Sequence, residues 1–225
     1  MKRYLQKLLV LFTALFIPLW AYGVVDPPTY SAEAVHGQVV DEDTGKPLEG
    51  VVIVARWRPE STLPGASGPG ESFKTIEVVT DNEGKYFIPG WGPLASPIFA
   101  FLSSHDPELI YFKSDYYPQF LLNPGYSHEN RNTNSVRTSI WNGKVIKLKP
   151  FKGDWSDYAF RLSGVWNIEF SNDCVRACPR MVLALDAENK RIKAIAPKVP
   201  NIINLNSYPF SDSDREFLKR FKDEK

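Results

Sequence analysis

The sequence predicts a mainly β fold, a packed β-sandwich of about seven short strands with a small C-terminal helical extension. Three observations carry that expectation. Six Trp, ten Tyr and fourteen Phe are interspersed with eighteen Pro and fourteen Gly, a mixture that favours short strands and turns over a helical bundle. Val-rich runs with two-residue alternation recur between turn-forming clusters in the first two thirds of the chain. Beyond Pro150 the apolar period changes to three and four residues, that of an amphipathic helix. The 225 residues suffice for one full domain with additions. A content of 43% hydrophobic and 24% charged residues is that of a globular protein.

Residues 1–23, MKRYLQKLLVLFTALFIPLWAYG, read as a signal peptide. Lys2, Arg3 and Lys7 give a basic start, Leu8 to Trp20 an apolar stretch, and Ala21-Tyr22-Gly23 a small-x-small cleavage site. The apolar run is shorter than the roughly 20 residues of a spanning helix, and Pro18 disturbs its end. The chain is therefore expected in the periplasm or outside the cell, without stable membrane insertion after cleavage. An inner-membrane location through an uncleaved N-terminal anchor is the alternative. Cysteine is absent from the cleavage region, which excludes a lipoprotein anchor. Losing Lys2, Arg3 and Lys7 takes the 27 basic side chains to 24 against 26 acidic, a net of −2. Near-neutral charge offers no footprint for nucleic acid or anionic lipid.

Residues 24–34 (VVDPPTYSAEA) read as an extended lead-in. The first strand is expected over Val35 to Val40, with Val35, Gly37 and Val39 on one face. Asp41 to Pro47 is too polar to bury and forms a surface turn. Gly50 to Trp57 is apolar on both faces, as a central strand requires, so the stretch from Val35 to Trp57 reads as a β-hairpin whose second arm enters the core. Pro59 to Gly70 is a loop rich in breakers. Ser72 to Thr80 is a third strand, Asp81 to Gly84 a tight turn and Lys85 to Ile88 a fourth strand. Gly90-Trp91-Gly92-Pro93 breaks it. Phe99 to Leu102 and Leu109 to Lys113 are further short strands around a loop holding His105. Pro118 puts Tyr117 to Leu122 at an edge or a turn. Asn123 to Ser139 reads as a polar insertion. Lys144 to Leu148 closes the series, with Val145 and Ile146 buried on opposite faces. In residues 151–225, Trp155, Tyr158, Ala159, Leu162, Val165 and Trp166 form one helical stripe, expected to pack on the sandwich. Pro179 starts a second helix, and Ser213 with Glu216 has capping-box spacing for a third.

The segments VHGQVVDEDTGKPLEGVVIVA, TDNEGKYFIPGW, LIYFKSDYYP and VIKLKP together resemble the carboxypeptidase regulatory-like domain. The resemblance spans residues 35–150 and implies a transthyretin-like (prealbumin-like) Greek-key sandwich. Gly37, Asp41, Thr44, Gly45, Pro47, Gly50 and Val51 match the first motif; Thr80, Asp81, Gly84 and Tyr86 match the second. Asp115-Tyr116-Tyr117 stands where P-G-Y is usual, so that turn is shaped differently. The whole chain resembles uncharacterised exported proteins of Gram-negative bacteria. The motif residues serve folding: Gly45 allows a positive-φ turn, Pro47 ends the loop, and the Asp81 side chain accepts from turn amides.

His105-Asp106-Pro107-Glu108 has the H-x-x-E spacing of zinc carboxypeptidases, but catalytic zinc needs three protein ligands and the only later histidine is His128. Intradiol dioxygenases, which resemble this sandwich, bind iron through two Tyr and an H-x-H setting that this chain lacks. Hydroxyisourate hydrolases end in Y-R-G-S, whereas this sequence ends Lys222-Asp223-Glu224-Lys225. No cofactor or metal is expected. Trp57, Trp91, Trp141, Trp155 and Trp166 fit core packing better than a binding platform. Trp91, between two glycines, is the candidate for exposure. Cys174 and Cys178, the only cysteines, are expected to form a disulfide at a junction between helices, as exported chains with even cysteine counts usually do. Two functions follow. The leading one is a non-catalytic periplasmic module for binding or structural interaction, with protein, peptide or envelope polysaccharide as partner. The alternative is a small hydrolase or metal-dependent enzyme using His36, His105 or His128, which requires such groups to converge within hydrogen-bond reach.

Overall fold

The chain folds as a β-sandwich backed by helices. The structure, a computed structural model, describes residues 29–61, 72–96, 100–103, 105–124, 136–169, 172–199 and 211–223. The expected signal peptide and His128 lie outside them. Among the described residues twelve strands are formed: β1 (Thr29–Ala32), β2 (Val35–Asp41), β3 (Val52–Trp57), β4 (Pro59–Ser61), β5 (Lys74–Val79), β6 (Lys85–Ile88), β7 (Trp91–Ala95), β8 (Ala100–Leu102), β9 (Glu108–Phe112), β10 (Gln119–Leu121), β11 (Val136–Arg137) and β12 (Lys144–Leu148). Helices α1 (Trp155–Glu169), α2 (Asn172–Ala177), α3 (Pro179–Ile195) and α4 (Asp212–Asp223) follow. The two main sheets, β10-β9-β3-β5 and β12-β2-β6, hold seven strands, and the other five make small sheets, β11-β1-β7 and β4-β8.

The burial of β3 explains its unbroken apolar run. Ile53, Ala55 and Trp57 point into the sandwich interior with Val35, Val39, Leu109, Tyr111, Ile146 and Leu148. Val52 and Val54 face the other way, with Ile110 and Phe112 of β9, into a second core closed by Tyr158, Leu162 and Val165 of α1 and Met181, Val182 and Leu185 of α3. The four-stranded sheet is thus a middle layer, buried on both faces.

Several expectations need correction. β2 and β3 do not pair as a hairpin; they lie in different main sheets. The turn between them carries the chain across the sandwich. Asp41 Oδ1 accepts from the Asp43 and Thr44 amides (3.0 and 2.7 Å) and the Thr44 hydroxyl (2.9 Å), and Val40 bridges to Pro47. The buried Thr80 hydroxyl then donates to the Leu48 carbonyl (2.6 Å) and accepts from the Val51 amide (2.9 Å). The Asp81–Gly84 turn likewise links β5 to β6 across sheets, with Asp81 Oδ1 accepting from the Glu83 and Lys85 amides. Gly84 has φ +69°, and a Cβ there would lie 2.4 Å from the Val39 carbonyl oxygen, so this turn admits glycine alone.

Part of the extended lead-in, Thr29–Ala32, is a strand paired with β7 and β11. β6 ends at Ile88 before the Gly90–Pro93 stretch, as expected, but Trp91–Ala95 then forms a further strand that pairs antiparallel with β1. Val145 is 55% exposed while Ile146 is buried; the outer face of β12-β2-β6 carries no further layer among the described residues, so only its inward positions are apolar by necessity.

The helices are set by local and remote caps. Asp154 Oδ1 accepts from the Ser156 amide (2.7 Å) at the start of α1. α3 has Pro179 in its first turn and Cys178 as an N-cap with no side-chain cap bond. Glu77 of β5 fills that role, accepting from the amides of Arg180 (3.1 Å) and Met181 (2.7 Å). Burial pushes the Glu77 carboxyl up, against the pull of these amides and of the Arg180 charge. The cap of α4 is Ser211 with Asp214, not Ser213 with Glu216: Ser211 Oγ accepts from the Asp214 amide at 3.2 Å. Cys174 in α2 and Cys178 are disulfide-bonded, with Cα atoms 5.1 Å apart.

Candidate functional site

Helix α3 docks on the sandwich through a second buried carboxylate, Glu188, which binds Ser114 Oγ (2.6 Å) and Tyr158 Oη (2.9 Å) and pairs with Arg191. That cluster holds the layers together. The histidine-bearing loop before β9 is a similar internal brace. Glu108 sits opposite Arg56 in the β9–β3 register and accepts from its Nη2 at 3.3 Å, both side chains being buried; Arg58 Nε lies 3.5 Å away. Asp106 Oδ2 accepts from the Arg58 amide at 2.8 Å. Burial pushes the Asp106 carboxyl up to about 8, against the pull of that amide and of the Arg58 and Arg137 charges, so it is protonated at neutral pH. Asn123 closes the loop, donating to the carbonyls of Asp106 (2.7 Å) and Thr138 (2.8 Å) and accepting from the Ile140 amide (3.1 Å). The His105 ring bonds the Asn123 carbonyl through Nδ1 (2.9 Å).

His36 is exposed on β2, cross-strand from Phe87. Among the described residues no hydrogen bond joins His36 to His105, or either ring to a carboxylate. No group of three or more His, Cys, Asp or Glu among those residues could hold a metal ion. Trp91 is half-buried rather than exposed: its ring meets Trp57 edge-on at 5.3 Å and Phe73 at 5.5 Å, and its indole nitrogen is buried. It walls the core instead of forming a platform.

One cleft, of about 370 Å³, lies at the seam between sandwich and helical extension, lined by Glu42, Tyr117, Pro118, Gln119, Lys147, Lys149, Asp157 and Arg161. Its floor follows from backbone pairing. β12 runs parallel to β2, with Lys147 opposite Val40. The Tyr117 amide donates to the Lys149 carbonyl (3.0 Å) and the Phe151 amide to that of Asp115 (2.7 Å). Tyr117 packs edge-on against Phe151 and Tyr158, at 5.7 and 5.9 Å. One turn along α1, Arg161 lies 5.1 Å over the Tyr117 ring and pairs with Asp157 at 3.0 Å. That neutralises Arg161. Lys147 and Lys149, both exposed, make no ion pair among the described residues, and Glu42 makes none either. The cleft therefore presents two available cations, one available carboxylate and an amide side chain. Such a set has the chemistry to hold a polar ligand.

This cleft escaped the sequence reading because no segment carries it. The Lys147–Lys149 spacing puts both side chains on one face of a strand, but the helix that completes the wall lies beyond residue 150.

No family model matches the chain, and no curated protein matches it. Among solved structures the chain is similar to 3-chlorocatechol 1,2-dioxygenase of Rhodococcus opacus 1CP, at 14% identity and a TM-score of 0.35, over 56% of this chain and 63% of that one. It is similar to catechol 1,2-dioxygenase of Pseudomonas arvilla C-1 at 14% identity and a TM-score of 0.31, over 58% and 55%. Two domains of the major pilin SpaD of Corynebacterium diphtheriae align at 15% identity and a TM-score of 0.26, over 54% and 48%. The chain thus spans less than two thirds of the length of each of these proteins. Likenesses at this level establish no shared activity.

Proposed function

We propose that the chain is an exported, non-catalytic binding module of the bacterial envelope, built on a carboxypeptidase regulatory-like sandwich, and that the seam cleft is its binding site. The observation that carries this reading is the contrast in how polar groups are used. Asp106, Glu108, Arg56, Asn123 and the His105 ring are tied into internal bonds, as bracing groups are. Among the described residues Lys147 and Lys149 have no ion-pair partner and line a concave site, as recognition groups do. The volume falls at the lower end of the roughly 300–1,000 Å³ usual for ligand clefts. The basic start and small-x-small site of residues 1–23 support export, with the mature chain starting near Val24. No helix among the described residues is long and apolar enough to cross a membrane.

The test is co-sedimentation of the mature chain with polysaccharide purified from the envelope, comparing wild type with the double variant Lys147→Gln/Lys149→Gln. Retention of the wild type and loss of the variant, at unchanged melting temperature, supports the reading. Equal retention of both, or of neither, overturns it.

A further inference from the structure

The chemistry of the cleft narrows its ligand class, on the reading that the cleft is the binding site. We infer that the cleft takes an acidic saccharide, a polyhydroxylated ring bearing a carboxylate, as in a hexuronate chain. Four observations lead there.

Lys147 and Lys149 follow one another on one face of the strand, so two unpaired ammonium groups point to the same side. Two adjacent cations in a concave site call for an anion. Glu42 shares the lining, which limits that anion. A compact dianion such as phosphate would share the site with the Glu42 charge and bring no ring hydroxyls to donate to it. A carboxylate on one side of a ring with hydroxyls on the other would not: the hydroxyls donate to Glu42 while the carboxylate faces the lysines. Lysine, a point charge with three rotatable donors, suits such a monovalent group, while Arg161 gives its Nε–H to Asp157 and lies over the Tyr117 ring.

Gln119 is the third observation. Its Oε1 atom is buried and has no hydrogen-bond partner, in a residue that lines the cleft. Buried acceptors are satisfied in the great majority of cases, and the Gln119 amide, by rotating toward the cleft, can take its missing donor from a ligand hydroxyl. The fourth is the Tyr117 ring with the Arg161 guanidinium lying over it, a flat stack against which a sugar ring can rest. The remaining lining is Pro118 and lysine stems, so the cleft itself offers little apolar surface to peptide side chains.

The experiment is calorimetric titration of the mature chain with tetragalacturonate, against the neutral cellotetraose and inorganic phosphate. The expected result is binding of tetragalacturonate that weakens as salt is raised, with no detectable heat from the other two. Lys147→Gln and Lys149→Gln should each lower affinity about tenfold, the loss of one charge-assisted hydrogen bond. Gln119→Leu should lower it several-fold at unchanged melting temperature. Equal binding of cellotetraose, preferential binding of phosphate, or lysine variants that bind like the wild type would each overturn the assignment. Should tetragalacturonate fail while envelope polysaccharide still co-sediments in a lysine-dependent way, the acidic sugar is wrong and the binding site stands. Should neither depend on the lysines, both fall.

Discussion

Thr80 shows how a single side chain can hold a topology. Its hydroxyl donates to Leu48 and accepts from Val51 in a buried site, which fixes where the chain leaves one sheet for the other. Thr80→Val keeps the shape and strands both backbone groups, so it should cost about 1–3 kcal/mol, read from the urea midpoint; an unchanged midpoint would contradict that role. Asp106 sets a pH dependence of unusual sign. The unfolded chain releases this proton near the ordinary 3.8, and the native state holds it to about 8. The native state then binds the extra proton between those values, so stability falls as pH rises through the window, by at most about 1.4 kcal/mol per pH unit. Asp41, whose carboxyl is lowered chiefly by the Thr44 amide and the Tyr116 hydroxyl, acts in the opposite sense and below 3.8. Asp106→Asn should flatten the decline between pH 5 and 8; the same slope in the variant would contradict the account. The sequence disclosed the turn role of Asp41, Thr80, Asp81 and Gly84, since turn chemistry is local. It concealed the burial of Asp106, which depends on strands far away in the chain.

At the level of elements, the cap of α3 is made by a strand. Proline in its first turn and a disulfide-bonded N-cap leave its amides without a local acceptor, and Glu77 reaches them from β5, about one hundred residues earlier in the chain. Glu77→Ala should cost about 1–2 kcal/mol, the upper range for a lost cap, and speed hydrogen exchange at the Arg180 and Met181 amides. Unchanged exchange there would show that the helix docks without it. Strand and helix positions follow from periodicity, so β2, β3, β5, β6, β12 and α1 were legible in the sequence. Pairing partners were not: a glycine- and proline-bearing turn between two apolar runs fits a hairpin and a crossing between sheets alike. β7 was hidden because Gly92 and Pro93 read as breakers, whereas Gly92 is where β1 approaches, with Ser31 Cα 2.6 Å from where a Cβ would stand. The capping box moved for a related reason, since both Ser211–Asp214 and Ser213–Glu216 have the spacing and only tertiary contacts choose. Asp214 pairs with Arg176 of α2 at 2.9 Å.

Over the whole molecule, the layers are a sheet, a sheet and a helical cover, and the site lies where the cover meets the sandwich. The helices are therefore lid to the second core, and α1 is also a wall of the cleft. Ending the chain at Pro150 would bare Val52, Val54, Ile110 and Phe112 together. Each is worth at most about 1.5–3 kcal/mol buried, so their joint exposure rivals the whole margin of about 5–15 kcal/mol. The shortened chain should aggregate or lose its cooperative melt; a soluble product with the same melting temperature would make the extension an independent arm. The change of apolar period showed that helices follow the strands, but a cleft shared by residues 42, 117–119, 147, 149, 157 and 161 exists only after folding. The most direct test of the binding reading is the amide nuclear magnetic resonance spectrum of the full mature chain, titrated with purified envelope polysaccharide. The account predicts shifts centred on Glu42, Tyr117, Gln119, Lys147, Lys149, Asp157 and Arg161, while His36 and Phe87 on the outer sheet face stay still. Shifts centred on His36 and Phe87, or around His105, with the cleft unmoved would contradict it.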